Sequence, residues 1–421
     1  MSWESVPLRY VTRLLNRGTA PNYVDDGPIR MVSQAANQKS GLDWERTRFH
    51  SYLGDPRKLK GYLQLGDSLV NSTGTGTLGR VGWFEYSPDS RPCVADGHVT
   101  VVRFNPHRVH PRFGYYYLKS SSFQRFMFET LVTGSTNQIE LSREGMRATS
   151  MPVPALEEQR RIADFLDVET NRIGKLIGMR TSQLELIESR SKCQLAKVLL
   201  PPIPPASWRE IPIKYLFEFE RAGVWGDDPA GDKSDVLCVR VADFDRISLT
   251  GGSTAATYRA IDAQQIRRRT LRKGDVLLEK SGGGEKNPVG FAVNYDGPEN
   301  VLATTSNFVS ILRPKSIVFP RFAGLLMAAN YFAGMNIPFI KQTTGIQNLD
   351  GAGYLGRKVH LPTISEQVSI VRLLDRNLDS ASRYRNSANH QIDLLAERRQ
   401  ALITAAVTGQ LDVTTARSGV R

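Results

Sequence analysis

The feature that most constrains this chain is that its second half repeats its first. Ser2-Trp3 and Pro7-Leu8-Arg9-Tyr10 return as Ser207-Trp208 and Pro212-Ile213-Lys214-Tyr215, a shift of 205. Gly66-Asp67, Gly74, Gly76 and Gly82 return as Gly274-Asp275, Gly282, Gly284 and Gly290, a shift of 208. Pro154, Glu158-Gln159, Ile162, Leu166-Asp167, Gln183 and Arg190 return at Pro362, Glu366-Gln367, Ile370, Leu374-Asp375, Gln391 and Arg398, again by 208. The period is too long for a solenoid and the copies too few for a propeller. A duplicated module of globular size follows, and two similar modules suggest two similar things to bind.

Each copy reads as a mixed, strand-rich front followed by a helical tail. Gly66-Asp67-Ser68-Leu69-Val70 and Val99-Thr100-Val101-Val102-Arg103-Phe104 read as a turn entering one strand and as a second, β-branched strand. Gly274-Asp275-Val276-Leu277-Leu278 and Val309-Ser310-Ile311-Leu312-Arg313 match them in copy two. Helices are predicted over 112–132 and 321–333. Each leads to a polar glycine loop, Thr133-Gly134-Ser135-Thr136-Asn137-Gln138 or Thr343-Thr344-Gly345-Ile346-Gln347-Asn348, and these two align only at a shift of 211.

The tails are strongly periodic. Ile370, Leu374, Leu378, Ala381, Tyr384, Ala388, Ile392, Leu395, Leu402 and Ala406 fall in steps that keep one helical stripe apolar. Ile162, Leu166, Ile173, Leu176, Leu184, Ile187, Leu195 and Val198 do the same in the first tail, which Pro201-Pro202-Ile203-Pro204-Pro205 ends. Two such helices in one chain most simply bury their stripes against each other, and the domain between them favours an antiparallel pair. Gly174 and Gly178 weaken the first by about 1 kcal/mol each relative to Ala and mark where it could break or kink.

Charge narrows the class of partner. The 421 residues carry 55 Lys+Arg against 42 Asp+Glu, a net +13. A polyanion is favoured over an inert basic surface, because neutralising phosphates releases condensed counterions. Arg46, Arg48, Arg57, Lys58 and Lys60, with Trp44 and Tyr52 nearby, form one basic cluster. Arg267, Arg268, Arg269, Arg272, Lys280 and Lys286 form another. As groups they suit phosphate positioning, although any one of them is more simply a solvated charge. Asn137, Gln138, Gln347 and Asn348 are candidates for base-edge contact, since Asn and Gln pair with adenine in the major groove. Cys93, Cys193 and Cys238 are too scattered for a disulfide framework or a zinc site. With no signal peptide or membrane-length apolar run in view, a cytoplasmic protein without membrane contact is expected.

No catalytic constellation is convincing. Gly74-Thr75-Gly76-Thr77-Leu78-Gly79 spells a dinucleotide fingerprint, but Arg80-Val81-Gly82-Trp83-Phe84 after it reads as a strand where a helix is needed. A strand–loop–strand turn is preferred. His107 and His110 lack a third metal ligand and flank prolines, so a surface loop is preferred there too. Gly282-Gly283-Gly284-Glu285-Lys286 lacks P-loop spacing, and no Asn/Asp-Pro-Pro-aromatic tetrapeptide occurs.

Pro152-Val153-Pro154-x-x-x-Glu158-Gln159-x-x-Ile162-x-x-Phe165-Leu166-Asp167 recurs as Leu361-Pro362-x-x-x-Glu366-Gln367-x-x-Ile370-x-x-Leu373-Leu374-Asp375. Together with the ending Ala405-Ala406-Val407-Thr408-Gly409-Gln410-Leu411-Asp412-Val413, these motifs make nearly the whole chain resemble the specificity subunit of a type I restriction–modification enzyme. The resemblance implies an α+β protein: two duplicated mixed α/β target-recognition domains separated by two long helices forming an antiparallel coiled coil. The divisions expected are 1–150 and 206–357 for the recognition domains, 151–205 and 358–410 for the helical spacers, and 411–421 for a tail. It further implies a non-catalytic subunit that reads a bipartite site in double-stranded DNA, one half per domain. Two modification (methyltransferase) subunits and the restriction (translocase/nuclease) subunits would be its partners. Glu158, Gln159, Ile162, Leu166, Glu366, Gln367, Ile370 and Leu374 would serve the spacer helices and partner docking. No cofactor or metal is expected in this chain; S-adenosylmethionine, Mg and ATP would sit on the partners. An interaction scaffold binding protein or RNA through two paired domains is the alternative.

Overall fold

The computed structural model describes residues 3–74, 76–134, 139–232, 235–343 and 345–413. The chain forms two compact units. One holds the chain up to Met179 together with the segment from Gln391, and the other is Arg180–His390. Each unit therefore takes one front domain, the start of the long helix that follows it and the end of the other long helix.

In the first unit, four antiparallel strands run in the order Thr12–Arg17, Val99–Phe104, Ser68–Asn71 and Val81–Trp83. The Val-rich strand Val99–Phe104 is buried at every position except Arg103, so it carries no polar face. A second small sheet pairs Cys93–Ala95 parallel to Ile29–Val32, with Arg48–His50 and Tyr23–Val24 beyond. The second unit repeats the plan with a longer main sheet. Phe217–Ala222, Val309–Pro314, Val276–Glu279 and Ala292–Tyr295 lead on to Thr250–Gly251 and Phe244–Asp245. Its second sheet pairs Asp235–Val239 parallel to Ala303–Thr305.

A two-stranded stem closes each front domain. Glu4–Pro7 pairs with Ser150–Val153, and Arg209–Pro212 with Lys358–Leu361. The glycine-rich segment after Asn71 is a turn between two strands, with positive φ at Gly74, Gly76 and Gly79, as expected in preference to a phosphate loop.

Two local expectations are corrected. The helix predicted over 112–132 is interrupted: Pro111–Lys119 and Ser121–Phe126 are separate, followed by a wide turn over Met127–Leu131. Ser120 is extended, and its hydroxyl accepts the Phe123 N–H at 3.2 Å, so it caps a new helix where periodicity alone continued the old one. The polar glycine loops do not align at 211. Val132 pairs with Leu141 and Thr133 with Glu140, while Ile340 pairs with Leu349 and Lys341 with Asn348. All four positions are related by 208. The strands that flank the loops are equivalent at 208, so the shared Thr-Gly spelling at 211 is coincidence.

The long helices span Leu156–Leu199 and Ile364–Val407, 44 residues each. The first runs unbroken through Gly174 and Gly178, where an added Cβ would meet nothing within 4 Å. The second begins with a reciprocal cap. Thr363 donates its N–H and its hydroxyl to Glu366 Oε2, and its hydroxyl oxygen accepts the Glu366 N–H. In the first unit Ile162, Ala163 and Leu166 share a core with Ile403, Ala406 and Val407. In the second, Leu195 and Leu199 share one with Val371, Leu374 and Leu378. The start of one helix thus meets the end of the other in both units, which is an antiparallel coiled-coil pairing.

Candidate nucleic-acid interface

The frame that would present this surface is built twice from the same atoms. Arg103 grips Asp67 through Nε (2.8 Å) and Nη2 (2.7 Å), and Nη2 also donates to the Tyr62 carbonyl at 2.8 Å. Arg313 grips Asp275 in the same way at 2.9 and 2.8 Å, and donates to the Thr270 carbonyl at 3.0 Å. Both carboxylates are buried, and a two-pronged guanidinium is the partner that best compensates a buried carboxylate.

A second device joins each domain to its helix. Gln159 is fully buried; its Oε1 accepts the His110 N–H at 2.7 Å while Nε2 donates to the Arg108 and Pro154 carbonyls. Gln367 repeats this on the Phe319 N–H at 2.7 Å and the Ile317 and Pro362 carbonyls. Two turns on, Asp167 accepts Arg112 Nε at 2.7 Å, and Asp375 accepts Arg321 Nε at 3.0 Å. The repeated Gln and Asp of the motif therefore clip the long helix to the domain helix that begins at Pro111 or Pro320.

This accounts for most of the residues expected to dock partners. Gln159, Ile162, Leu166, Gln367 and Leu374 are buried within their own unit, Ile370 is half-buried and Glu366 caps its helix. These side chains hold the protein itself together. Glu158 is half-exposed.

The basic candidates separate in the same fashion. Arg46 is exposed and pairs with Asp43 at 2.9 Å, while the Arg48 guanidinium lies 3.9 Å from the Tyr23 ring centroid. Arg57 and Lys58 project from a short turn capped by Asp55. Lys60 lines a groove with Arg17, Arg143 and Glu140 that includes none of the other four. In the second unit Arg267 and Arg268 are exposed, and Arg269 is half-buried with two of its donors committed within the domain. Its Nε donates to the Ala222 carbonyl at 3.0 Å and its Nη1 to the Gln265 carbonyl at 2.9 Å, pinning its own turn. Arg221, which no local pattern singled out, joins them in an open groove. Lys280 is half-exposed and Lys286 exposed.

Of the polar loop residues, Gln347 is buried and its Oε1 accepts the Val289 N–H at 3.2 Å. Asn348 accepts the Ser281 hydroxyl at 2.6 Å. Gln347 is thus engaged within its own domain, whereas Asn348 is half-exposed with its Oδ1 tied to a neighbouring strand. Asn137 and Gln138 lie outside the described residues. Among the described residues, no cluster of three or more His, Cys, Asp or Glu could hold a metal, and no helix is long and apolar enough to cross a membrane.

Glu279, at the end of Val276–Glu279 and next to Lys280, is 2% exposed. Burial pushes its carboxyl up to about 7, against the pull of Arg246 at 3.4 Å and the Gly283 N–H. The folded chain thus holds this proton more tightly than the unfolded chain, where the group has its ordinary value of 4.5. Its contribution to stability is greatest below that value and is lost as pH rises through the window up to about 7. Urea denaturation of Glu279→Gln should show a flatter stability profile across that window, with the variant more stable than the parent above it. Identical pH profiles for the two would rule this out.

Comparisons with known proteins agree with this architecture. Residues 2–186 match the family described as "Type I restriction modification DNA specificity domain". The type I restriction enzyme EcoBI specificity subunit of Escherichia coli is 20% identical over 443 aligned positions, covering 92% of this chain and 87% of the relative. A solved chain from a study of complex assembly and conformational transition in a type I R-M system superposes with a TM-score of 0.70 at 19% identity, covering 97% of this chain and 98% of that one. The HsdS subunit from Thermoanaerobacter tengcongensis gives 0.51 at 18% identity, covering 97% of each. The matched model covers the first copy, and the second copy repeats its clasps atom for atom. Residues 2–186 thus carry a type I restriction modification DNA specificity domain, and along nearly its whole length the chain is similar to type I restriction–modification specificity subunits.

Proposed function

We propose that this chain reads a bipartite, asymmetric site in duplex DNA, one half per front domain, and docks two modification subunits and the restriction subunits. The observation that carries this reading is one domain frame built twice, with the Asp67–Arg103 and Asp275–Arg313 pairs and the Gln159 and Gln367 clips conserved between copies. The surfaces on that frame differ: Thr133 and Glu140 in one hairpin stand where Lys341 and Asn348 stand in the other. A common frame with unlike surfaces suits two readers of unlike sequences. S-adenosylmethionine, Mg and ATP belong to the partner subunits in this reading, and the complex works in the cytoplasm. The spacer helices set the gap between half-sites without reading its bases.

The test is methyl transfer. The pure chain should transfer none. Co-produced with its modification subunits, it should give adenine methylation at one split motif, mapped across the genome. Methyl transfer by the pure chain that survives repurification would overturn this reading. Sequence-independent retention of protein or RNA, with no preferred duplex, would favour the scaffold instead.

A further inference from the structure

Tyr62 and Thr270 hold the same place in the two domains, because each offers its carbonyl to the arginine of the buried pair. They are 208 apart, which makes Lys60 the counterpart of Arg268. Both side chains are exposed. Both backbone carbonyls are also held by a side chain from the end of the first main-sheet strand or just past it. The Thr19 hydroxyl donates to Lys60 O at 2.5 Å, and Arg221 Nη1 donates to Arg268 O at 2.6 Å.

Around each of these corners further cations gather. Lys60 shares its groove with Arg17 and Arg143. Arg17 engages Glu140 and Arg143 pairs with Glu144 at 2.8 Å, which leaves Lys60 as the cation of the three without a carboxylate partner among the described residues. Arg143 is held towards the strand end by Asn16 Oδ1 at 3.1 Å. The Arg268 groove is lined by Arg221, Arg267 and Arg269 with Gln264 and Gln265, and has no carboxylate in its wall.

The neighbours of the two corner residues are unlike: Leu59 and Gly61 flank Lys60, whereas Arg267 and Arg269 flank Arg268. A cation at the matched position amid such divergence is what a ligand common to both halves would select. Groups that read bases should differ between the domains, whereas the sugar–phosphate backbone is the same in both half-sites. We propose that Lys60 and Arg268 are matched phosphodiester contacts, one per domain, which seat each domain on the DNA backbone whatever bases it reads. This rests on the DNA-reading function proposed above.

The experiment measures binding of the full chain to a fluorescein-labelled DNA duplex of scrambled sequence, and to an RNA duplex of the same sequence, over a range of salt. Lys60→Gln and Arg268→Gln should each reduce the slope of log K against log[salt] by about 0.9, and the double variant by about 1.8. Lys60→Arg and Arg268→Lys should retain the parental slope. The thermal transitions should not move, since both side chains are exposed. Once the preferred site is mapped, cognate and scrambled DNA should lose affinity by the same factor. An unchanged slope in the double variant would overturn the matched contacts, as would a loss confined to cognate DNA or to one of the two residues. Failure of the parent chain to bind DNA, or tighter binding to RNA, would instead overturn the DNA-reading function and this inference with it.

Discussion

Exchanging residues 7–150 for the equivalent domain of a relative should change one half of the methylated motif and leave the other half as it was. The boundaries fall at a mechanically favourable place. Pro7 lies opposite Ser150 at the end of the stem formed by Glu4–Pro7 and Ser150–Val153, so both junctions sit on one ladder. The matching cut in copy two lies at Pro212 and Lys358. Inside the stem, the first domain brings its own sheets and its own Asp67–Arg103 pair. Outside it, the incoming domain must meet Gln159 and Asp167 on the long helix, which ask for a free backbone N–H and carbonyl just before a domain helix and for an arginine and a tyrosine within it. Those demands are independent of the bases read. Methylation mapping of cells carrying the exchanged chain with the same modification subunits checks the result. If both halves of the motif changed together, the two domains would not be separate readers.

Removing one partner of a buried ion pair should have a large effect on stability. Arg103→Met leaves the fully buried Asp67 carboxylate with only the Gln64 N–H at 2.7 Å, and Arg313→Met does the same to Asp275 and the Arg272 N–H at 2.8 Å. Breaking a buried pair from one side costs about 3–5 kcal/mol, because the remaining charge is left uncompensated. The loss should be local. Hydrogen exchange should show the main-sheet strands Ser68–Asn71 and Val99–Phe104 losing protection in Arg103→Met, and Val276–Glu279 with Val309–Pro314 in Arg313→Met. The double variant Asp67→Asn/Arg103→Met should recover part of the loss, since no buried charge remains. A cost below about 1 kcal/mol in the single variants would mean that water or a proton replaces the guanidinium readily, and the pair would not be what orders the frame.

Much of this protein is legible without coordinates, and the reason is that the legible parts are local or repeated. A stripe such as Ile370, Leu374 and Leu378 is a property of consecutive turns, so the helix Ile364–Val407 follows from spacing alone. The β-branched run Val99–Phe104 declares a strand in the same way, and the duplication declares two domains before either is seen. Glu366 stands among the expected docking residues, although Thr-x-x-Glu is a capping pattern within one turn and local spacing alone carries that signal.

What the spacing did not carry is partnership across distance. Gln159 and Gln367 read as surface residues of a docking helix, and only the fold brings the His110 and Phe319 N–H groups to them. Asp67 and Arg103 are 36 positions apart, and nothing local marks them as a pair. Ser120 breaks a helix that periodicity would have continued, because its hydroxyl found a better use as a cap. Arg269 and Gln347 have the composition of DNA-contacting side chains, yet backbone groups of their own domain occupy them. The chain by itself determined its duplication, its two long helices and the family it resembles. Tertiary structure alone decided which polar groups remain to meet a partner, because a buried donor or acceptor must be satisfied by whatever the fold places beside it.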